Sequence, residues 1–206
     1  MFGVVSAFAQ YDPEALKVLD AVSKKYGDMG AFSADFTNQM VNESANTNIE
    51  TEGKFSRSGT KFRLEWNGQE YMSDGSTLWV YQPEAKEVYV SSLEDEMNDD
   101  FNPTEIQNLY KKGFKYLLKG ETTVNGKAHY MIDLVPENAQ EKNFYKIQMV
   151  VEKASNTISN FTVFEKNGTR YVFNIKNLNS KAAVKDSQFS FDKAKHPGVT
   201  VIDTRL

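Results

Sequence analysis

Large apolar side chains alternate with polar ones along most of this chain, which is the pattern of strands with one buried face. Phe62, Leu64 and Trp66 alternate with charged neighbours in the clearest case, and a period of two places all three on one face of a sheet. The same pattern predicts strands over residues 32–41, 49–57, 77–81, 88–90, 129–134, 145–151, 171–175, 189–191 and 199–202. Asn-Gly pairs at 67–68, 125–126 and 167–168 predict tight hairpins, because both residue types tolerate positive φ. With the shorter runs included, the pattern predicts about eleven strands.

Two segments instead repeat apolar residues every three or four positions, which predicts helices. The first begins with Asp12 as its N-cap and Pro13 in the first turn, and Gly27 is its predicted end. Its apolar stripe consists of Ala15, Val18, Leu19, Val22 and Tyr26. The second helix is predicted over residues 103–118 with a bend at Gly113, and its stripe consists of Ile106, Leu109, Tyr110, Phe114 and Leu117. The elements together predict a mainly β (α+β) fold, a strongly curved antiparallel sheet or open β-barrel whose inner face the two helices cover.

Composition narrows the class of protein. A chain of 206 residues suits one domain, and 24 Lys plus Arg against 28 Asp plus Glu give a net charge of −4, which argues against a nucleic-acid partner. No run of 18 apolar residues is present, so no membrane span is predicted. The absence of cysteine excludes disulfides, thiolate metal sites and attachment of a lipid to an N-terminal cysteine.

The first nine residues read as the end of a secretory signal. Ala7 and Ala9 have the small-x-small spacing of a cleavage site, which predicts cleavage before Gln10 and export of the remainder. We therefore expect residues 1–9 to be the tail of a truncated signal and residues 10–206 to form a single domain. The alternative is an N-terminal arm of the mature protein.

The sequence holds few groups that could carry out catalysis. His129 and His196 are the only histidines, neither has an acid at ligand or triad spacing, and we expect both at the surface. The acidic residues of the 93–100 segment lack the spacing of a calcium loop and predict a solvated loop. No phosphate-binding or nucleophile-elbow motif occurs. We therefore predict a binding protein, with no enzyme activity, metal or cofactor.

Aromatic residues point to the kind of ligand. The chain has 14 Phe, 10 Tyr and 2 Trp, more than the core of a small barrel explains when two amphipathic helices must also be accommodated. An open barrel with an apolar interior and helices over its mouth is a container for acyl chains.

The order FRLEW, turn, SDGSTLWVYQP resembles the periplasmic carrier proteins that take lipoproteins to the outer membrane, the LolA family. SDGSTLWVYQP is the most specific block, and the likeness extends from the first helix to FSFDKAKHPGVTVID near the C-terminus. The resemblance implies an unclosed β-barrel with a helical lid over an apolar cavity. It also implies a monomeric periplasmic carrier that accepts acylated lipoproteins from an inner-membrane releasing transporter and passes them to an outer-membrane acceptor.

The resemblance also implies roles for individual residues. Phe62, Leu64 and Trp66, with Phe55 on the preceding strand, match the apolar wall. Ile106, Leu109 and Tyr110 match the inner face of the lid helix. The family often has an Arg-Pro pair just before this strand, and its arginine holds the lid closed when the carrier is empty. Arg57 lies one place away from that arginine, which predicts a side chain on the other face unless a β-bulge intervenes.

One further interpretation remains open at this stage, and another fails. The same fold serves in periplasmic sensors that detect stray lipids or lipoproteins, although such sensors usually carry an anchor or a second domain. A small enzyme on the same scaffold lacks a catalytic set in this sequence. The cargo also stays open, because lipoproteins, glycolipids and free acyl lipids all fit an apolar cavity.

Overall fold

The computed structural model describes residues 11–97 and 103–205, and within them twelve strands form one sheet. In chain order the strands are β1 (Ala31–Asn42), β2 (Thr47–Ser58), β3 (Lys61–Trp66), β4 (Gln69–Ser73), β5 (Thr77–Gln82), β6 (Glu87–Ser92), β7 (Phe114–Val124), β8 (Lys127–Pro136), β9 (Phe144–Glu152), β10 (Thr157–Glu165), β11 (Arg170–Asn179) and β12 (Thr200–Asp203). The helices are α1 (Pro13–Asp28) and α2 (Leu93–Met97), with 3₁₀ helices at Pro103–Lys111, Ala139–Glu141, Asp186–Gln188 and Lys193–Lys195. We call Pro103–Lys111 the cover helix. The predicted signal segment lies outside the described residues.

The sheet has the strand order β12-β6-β5-β4-β3-β2-β1-β11-β10-β9-β8-β7. Its neighbours are antiparallel except for β12, which runs parallel to β6. The two outermost strands, β12 and β7, do not pair with each other in the described part of the chain, so the sheet stays open. The predicted curved, open, mainly antiparallel sheet is confirmed.

Helix α1 has the start that the sequence predicts. Asp12 caps it by accepting hydrogen bonds from the backbone N–H groups of Glu14 and Ala15. Leu19 and Val22 have no exposed surface and belong to the main core, where α1 contacts β7, β10 and the cover helix. The helix ends at Asp28, one residue beyond the predicted stop, and Gly30 then turns the chain into β1 with a φ of 65°.

The predicted second helix is wrong in its C-terminal half. The cover helix ends at Lys111, Gly113 adopts a φ of 72°, and β7 begins at Phe114. A left-handed glycine ends the helix where a bend was predicted. Leu117 therefore lies on a strand and is 38% exposed, whereas Tyr116 beside it is buried. The alternation across Phe114–Val124 has a period of two, which a short helical stripe had concealed.

The C-terminal segment does not form the predicted strand at 189–191. Residues Asp186–Gln188 form a 3₁₀ helix, and Phe189 is only 1% exposed. A second apolar cluster lies here, composed of Met72, Trp79, Tyr81, Val88, Phe191 and Val199. Trp79 and Tyr81 alternate with residues on the other face of β5, so this cluster covers the outer face of the sheet, away from the helices.

The short acidic segment also departs from the predicted loop. Residues Leu93–Met97 form helix α2, and residues 98–100 lie outside the described part of the chain. No helix in the described ranges is long and apolar enough to cross a membrane.

Candidate functional site

An apolar cavity of about 60 Å³ lies between the inner face of the sheet and the helices. Strands β1, β2 and β3 supply Phe32, Ala34, Phe36, Phe55, Leu64 and Trp66 to its wall. Strands β10 and β11 supply Ile158, Phe161, Phe173, Ile175 and Leu178. Helix α1 adds Tyr26, and the cover helix adds Thr104, Ile106 and Gln107. None of these side chains is charged at neutral pH, so the wall suits an apolar ligand.

Strand register explains how these residues meet. Phe32, Ala34 and Phe36 alternate along β1, and Ala34 pairs with Phe55 of β2. Phe36 pairs with Gly53, and a Cβ atom added at Gly53 would lie 2.2 Å from Cζ of the Phe36 ring. A glycine is therefore required at this position, because the ring occupies the space of a side chain.

Aromatic contacts make the floor of the cavity rigid. The ring centroids of Phe161 and Phe173 are 4.6 Å apart in a stacked arrangement, and Trp66 meets Phe173 edge to face at 5.9 Å. Trp66 also donates from Nε1 to Oγ1 of Thr51 at 3.0 Å, which fixes its indole ring.

Tyr26 closes the wall on the side of α1. Its hydroxyl accepts a hydrogen bond from the Ile158 N–H at 3.2 Å. Burial raises the pKa of Tyr26 to about 12, so the phenol stays neutral at physiological pH. The described part of the wall therefore stays uncharged over the physiological pH range.

The structure places the predicted wall residues at different positions. Phe55, Leu64 and Trp66 border the cavity, as does Ile106 from above. Phe62 is also buried, but it does not border this cavity. Whether any of them binds lipid stays a prediction.

Leu109 and Tyr110 are buried without bordering the cavity. The hydroxyl of Tyr110 donates to Oδ1 of Asp20 on α1 at 2.5 Å, and its ring meets Tyr116 of β7 edge to face at 6.2 Å. This half of the cover helix attaches it to the packed core. Their predicted role in lipid binding is not tested by this placement, and it stays a prediction for the open form.

Arg57 lies on the inner face of the sheet, so the predicted opposite face is wrong. The pairing of β2 with β1 and with β3 runs without a bulge, and the period of two places Arg57 on the same face as Phe55. Its Nη1 atom lies 2.8 Å from Oε1 of Glu105 and donates to the Thr104 carbonyl oxygen at 3.2 Å. Nε donates to the Gly59 carbonyl oxygen at 2.7 Å. The guanidinium thus joins β2 to the first turn of the cover helix.

Sequence reasoning missed more than half of the wall. Phe32 and Phe36 carried the signal of alternation, but nothing distinguished them from ordinary core residues. Ile158 and Phe161 are three positions apart and still share a face, because the pairing with β9 shifts between Ile158 and Asn160. Such a bulge is not visible in a pattern of period two.

His129 is buried, contrary to the prediction of a surface position. It is 2% exposed, its Nε2 lies 2.8 Å from Oγ of Ser159, and its Nδ1 lies 2.9 Å from the Lys127 carbonyl oxygen. The residue is thus a satisfied structural histidine on the outer face. His196 stacks on Phe191 with centroids 4.7 Å apart. Within residues 11–97 and 103–205, no group of three or more His, Cys, Asp or Glu could hold a metal ion.

Comparison with known proteins gives a consistent result. A family model described as outer membrane lipoprotein carrier protein LolA matches residues 28–192. An outer-membrane lipoprotein carrier protein of Edwardsiella ictaluri (strain 93-146) is 30% identical over 134 residues. That match covers 65% of this chain and 60% of the relative, so the chain spans less than two thirds of the relative's length.

Solved structures share the fold. An uncharacterized conserved protein of Thermus thermophilus superposes with a TM-score of 0.63 at 11% identity, over 92% of this chain and 99% of that one. A LolA superfamily protein of Nitrosomonas europaea gives a TM-score of 0.50 at 11% identity, over 87% and 98% of the two chains. The resemblance that the SDGSTLWVYQP block carries is confirmed, and the chain belongs to the outer membrane lipoprotein carrier protein LolA family.

Proposed function

We propose that this chain is a periplasmic carrier that holds the acyl chains of lipoproteins in the apolar cavity. It takes them from an inner-membrane releasing transporter and passes them to an outer-membrane acceptor, acting as a monomer and without catalysis. The observation that carries the proposal is the uncharged cavity beneath a separate short helix. The family and the name of the relative from Edwardsiella ictaluri support lipoproteins as the cargo.

The cover helix must move for cargo to enter. A cavity of about 60 Å³ holds a few water-sized molecules and is far too small for an acyl chain. The cover helix is a 3₁₀ helix over nine residues, and 3₁₀ runs of more than about four residues are uncommon because their hydrogen-bond geometry is poor. The element above the cavity is therefore one that gains little from its own backbone and can rearrange.

We propose that Arg57 is the latch of the closed form. Its ion pair with Glu105 is partly shielded, since the two side chains are 17% and 22% exposed, and the bond to the Thr104 carbonyl adds a charged donor. A charge-assisted hydrogen bond contributes on the order of 1.5–3 kcal/mol, less where water screens it. The latch thus favours closure without making it irreversible.

Closure and loading compete for the same apolar surface. Burying an acyl chain stabilises the complex by roughly 0.8 kcal/mol per CH₂, so long chains would be held almost permanently in an open, rigid cavity. Cargo must displace Ile106 and break the latch, and each displaced apolar side chain offsets about 1.5–3 kcal/mol. The net affinity then falls into a range that allows release.

Binding is tested with a peptide that carries two ester-linked palmitoyl chains. Trp66 borders the cavity and Trp79 lies on the outer face, so in a Trp79→Phe background the tryptophan emission reports on the cavity alone. Leu64→Glu should abolish binding, because a carboxylate in the wall must be desolvated against the chains. Leu117→Glu, the same change on an exposed strand position, should leave binding unchanged. Equal binding by both variants would contradict the proposed site.

The latch is tested by release. Arg57→Met should bind the dipalmitoyl peptide more tightly and transfer it more slowly to acceptor vesicles of outer-membrane lipids, because the closed form no longer competes. Arg170→Met, which removes an exposed ion pair with Glu43, is the control. Weaker binding by a folded Arg57→Met variant would show that Arg57 belongs to the cargo wall. Binding without any transfer by the wild type would favour a sensor over a carrier.

A further inference from the structure

Gln107 lies at the junction between the cavity and a second, more polar space. This second space, which we call the mouth cleft, has a volume of about 380 Å³ and is bordered by α1, the β1 and β2 ends and the cover helix. Tyr26, Phe32 and Gln107 border both the cavity and the mouth cleft. A chain that enters the cavity from the mouth cleft passes these three side chains.

Gln107 is a largely buried polar residue at the border of an apolar wall. The residue is 4% exposed and lines both spaces. Its neighbours on the same helix make polar contacts within the protein, since Asn108 accepts from Oγ of Ser23 at 2.8 Å and Glu105 is paired with Arg57. A side-chain amide at this border offers a hydrogen-bond donor to the first polar atom of a ligand whose apolar part lies along the wall.

We propose that the Gln107 amide is a ligand-binding group that donates a hydrogen bond to the carbonyl oxygen of an ester-linked or amide-linked acyl chain at the entrance of the cavity. The inference rests on the proposed function and adds to it the feature of the cargo that is recognised. The apolar wall below Gln107 holds the hydrocarbon, and the amide marks the depth at which the first polar atom of the chain comes to rest.

A neutral carbonyl fits this position better than a free carboxylate. The described residues of the cavity wall include no charged one, and Arg57 at the border of the mouth cleft is already paired with Glu105. A carboxylate placed beside Gln107 would lose its hydration without gaining an opposite charge, which is far more costly than burying a carbonyl. The site therefore selects linked acyl chains over free fatty acids.

The test compares three probes in the Trp79→Phe background, with Gln107→Met as the variant of similar shape. The probes are the dipalmitoyl peptide with ester links, its analogue in which both links are ethers and so lack carbonyls, and free palmitate. We expect Gln107→Met to weaken binding of the ester peptide about fivefold to tenfold, the effect of one hydrogen bond, and to leave the ether peptide unchanged. Unchanged ether binding also shows that the variant is folded. Gln39→Met, at a glutamine outside the cavity and the mouth cleft, should change neither.

Each other result overturns the proposal in a recognisable way. Equal loss for ester and ether peptides would make Gln107 a structural part of the wall, with the proposed function intact. A loss confined to palmitate would assign Gln107 to free carboxylates. Failure of the wild type to bind either peptide would overturn the proposed function and this inference together.

Discussion

The two ends of the inner face are covered by helices of different kinds. Helix α1 contacts β7, β10 and the cover helix, and the core residues of this region are sealed: Ala15, Leu19, Val22, Ile132, Leu134, Ile147, Met149 and Val151 all have 0% exposure. The cover helix lies beside α1 and β7, and a cavity separates its Thr104, Ile106 and Gln107 from residues of β1–β3 and β10–β11. One sheet thus supports a packed core at one end and a container at the other.

The difference lies in how each helix is held. Helix α1 is a regular α-helix of 16 residues, with a capped start and a stripe that fills the space beneath it. The cover helix is a nine-residue 3₁₀ helix, with Ile106 over the cavity and polar contacts from Arg57 at its first turn. Tight apolar packing makes an element hard to open, whereas a polar latch over a void keeps opening within reach of a ligand. The packed region at α1 therefore provides stability, and the region with the cavity under the cover helix is the one that can open for a ligand.

The largest expected effect on stability comes from truncating one buried aliphatic side chain to alanine on each helix. Leu19→Ala should lower the free energy of unfolding by about 2–5 kcal/mol, because a sealed site cannot collapse onto the lost atoms. Ile106→Ala should cost less than about 2 kcal/mol, since Ile106 already borders a void and loses fewer contacts. Urea unfolding followed by circular dichroism measures both.

The affinities of the same two variants for the dipalmitoyl peptide test the comparison further. Ile106→Ala should raise the affinity for the dipalmitoyl peptide, because cargo then displaces a smaller side chain, and Leu19→Ala should leave the affinity of the folded fraction unchanged. An equal loss of stability for the two variants would show that Ile106 is packed as tightly as Leu19, and the comparison would fail.

Gly53→Ala should have the next largest effect and should act on the cavity end alone. The new methyl group would overlap the Phe36 ring and would also approach the Glu65 carbonyl oxygen at 2.8 Å. Overpacking of this kind costs about 1–3 kcal/mol, and the displaced ring should alter Trp66 emission, since Phe36 and Trp66 are in edge contact at 6.5 Å. Gly27→Ala, where no atom lies within 4 Å of the added Cβ, is the control. Unchanged Trp66 emission in Gly53→Ala would show that the ring is free to move aside.

Much of this contrast could be predicted from the sequence wherever the signal was local. Asp12, Pro13 and the stripe of α1 identify the packed helix almost to the residue, and alternation along β3 identifies Leu64 and Trp66 as inner-face residues. Alternation also places Arg57 on the face of Phe55. The prediction of the opposite face for Arg57 was wrong because it rested on the one-place offset from the family's arginine. The alternation along β2 gives the observed face.

The remainder depends on tertiary structure. Gly113 separates the cover helix from β7, and the preceding turn of apolar residues is compatible with either element. The shift in pairing around Ser159, which brings Ile158 and Phe161 to one face, depends on the strand next to it. The position of Gln107 between two spaces is a property of the packed surroundings, which no spacing of residues reveals.

Asn38→Leu tests whether the inner face of β1 contains a buried polar group that destabilises the fold. The expected change in the free energy of unfolding is smaller than that for Gly53→Ala and opposite in sign. Asn38 follows Phe36 on the inner face of β1 and is 3% exposed, and its Nδ2 atom has no hydrogen-bond partner among the described residues. Replacing an unpaired buried amide by an apolar group of similar shape should raise the free energy of unfolding by about 1 kcal/mol. Asn42→Leu is the control and should destabilise, because Asn42 donates to Oγ1 of Thr169 at 2.9 Å. A loss of stability in Asn38→Leu would mean that the amide serves the fold.

The smallest expected effect is the pH dependence of the packed end. Asp12 receives a hydrogen bond from the Leu118 N–H at 3.0 Å and others from Glu14 and Ala15, and these bonds hold the pKa of Asp12 below its usual value of 3.8. A lowered pKa in the folded state means that the carboxylate stabilises the fold above pH 3.8 and that this stabilisation is lost as the pH falls through the folded pKa. Because water screens this carboxylate, the loss should be only a few tenths of a kcal/mol.

Urea midpoints between about pH 6 and pH 2 measure this loss. Asp12→Asn keeps an oxygen that can cap α1, so it should remain folded, but its stability should fall less on acidification than that of the wild type. Asp28→Asn, at the other end of the helix in an exposed pair with Lys24, should follow the wild type. If Asp12→Asn loses as much stability in acid as the wild type does, the hydrogen bond that Asp12 accepts from the Leu118 N–H does not contribute to holding α1 against β7. The packed end would then be held by its apolar contacts alone.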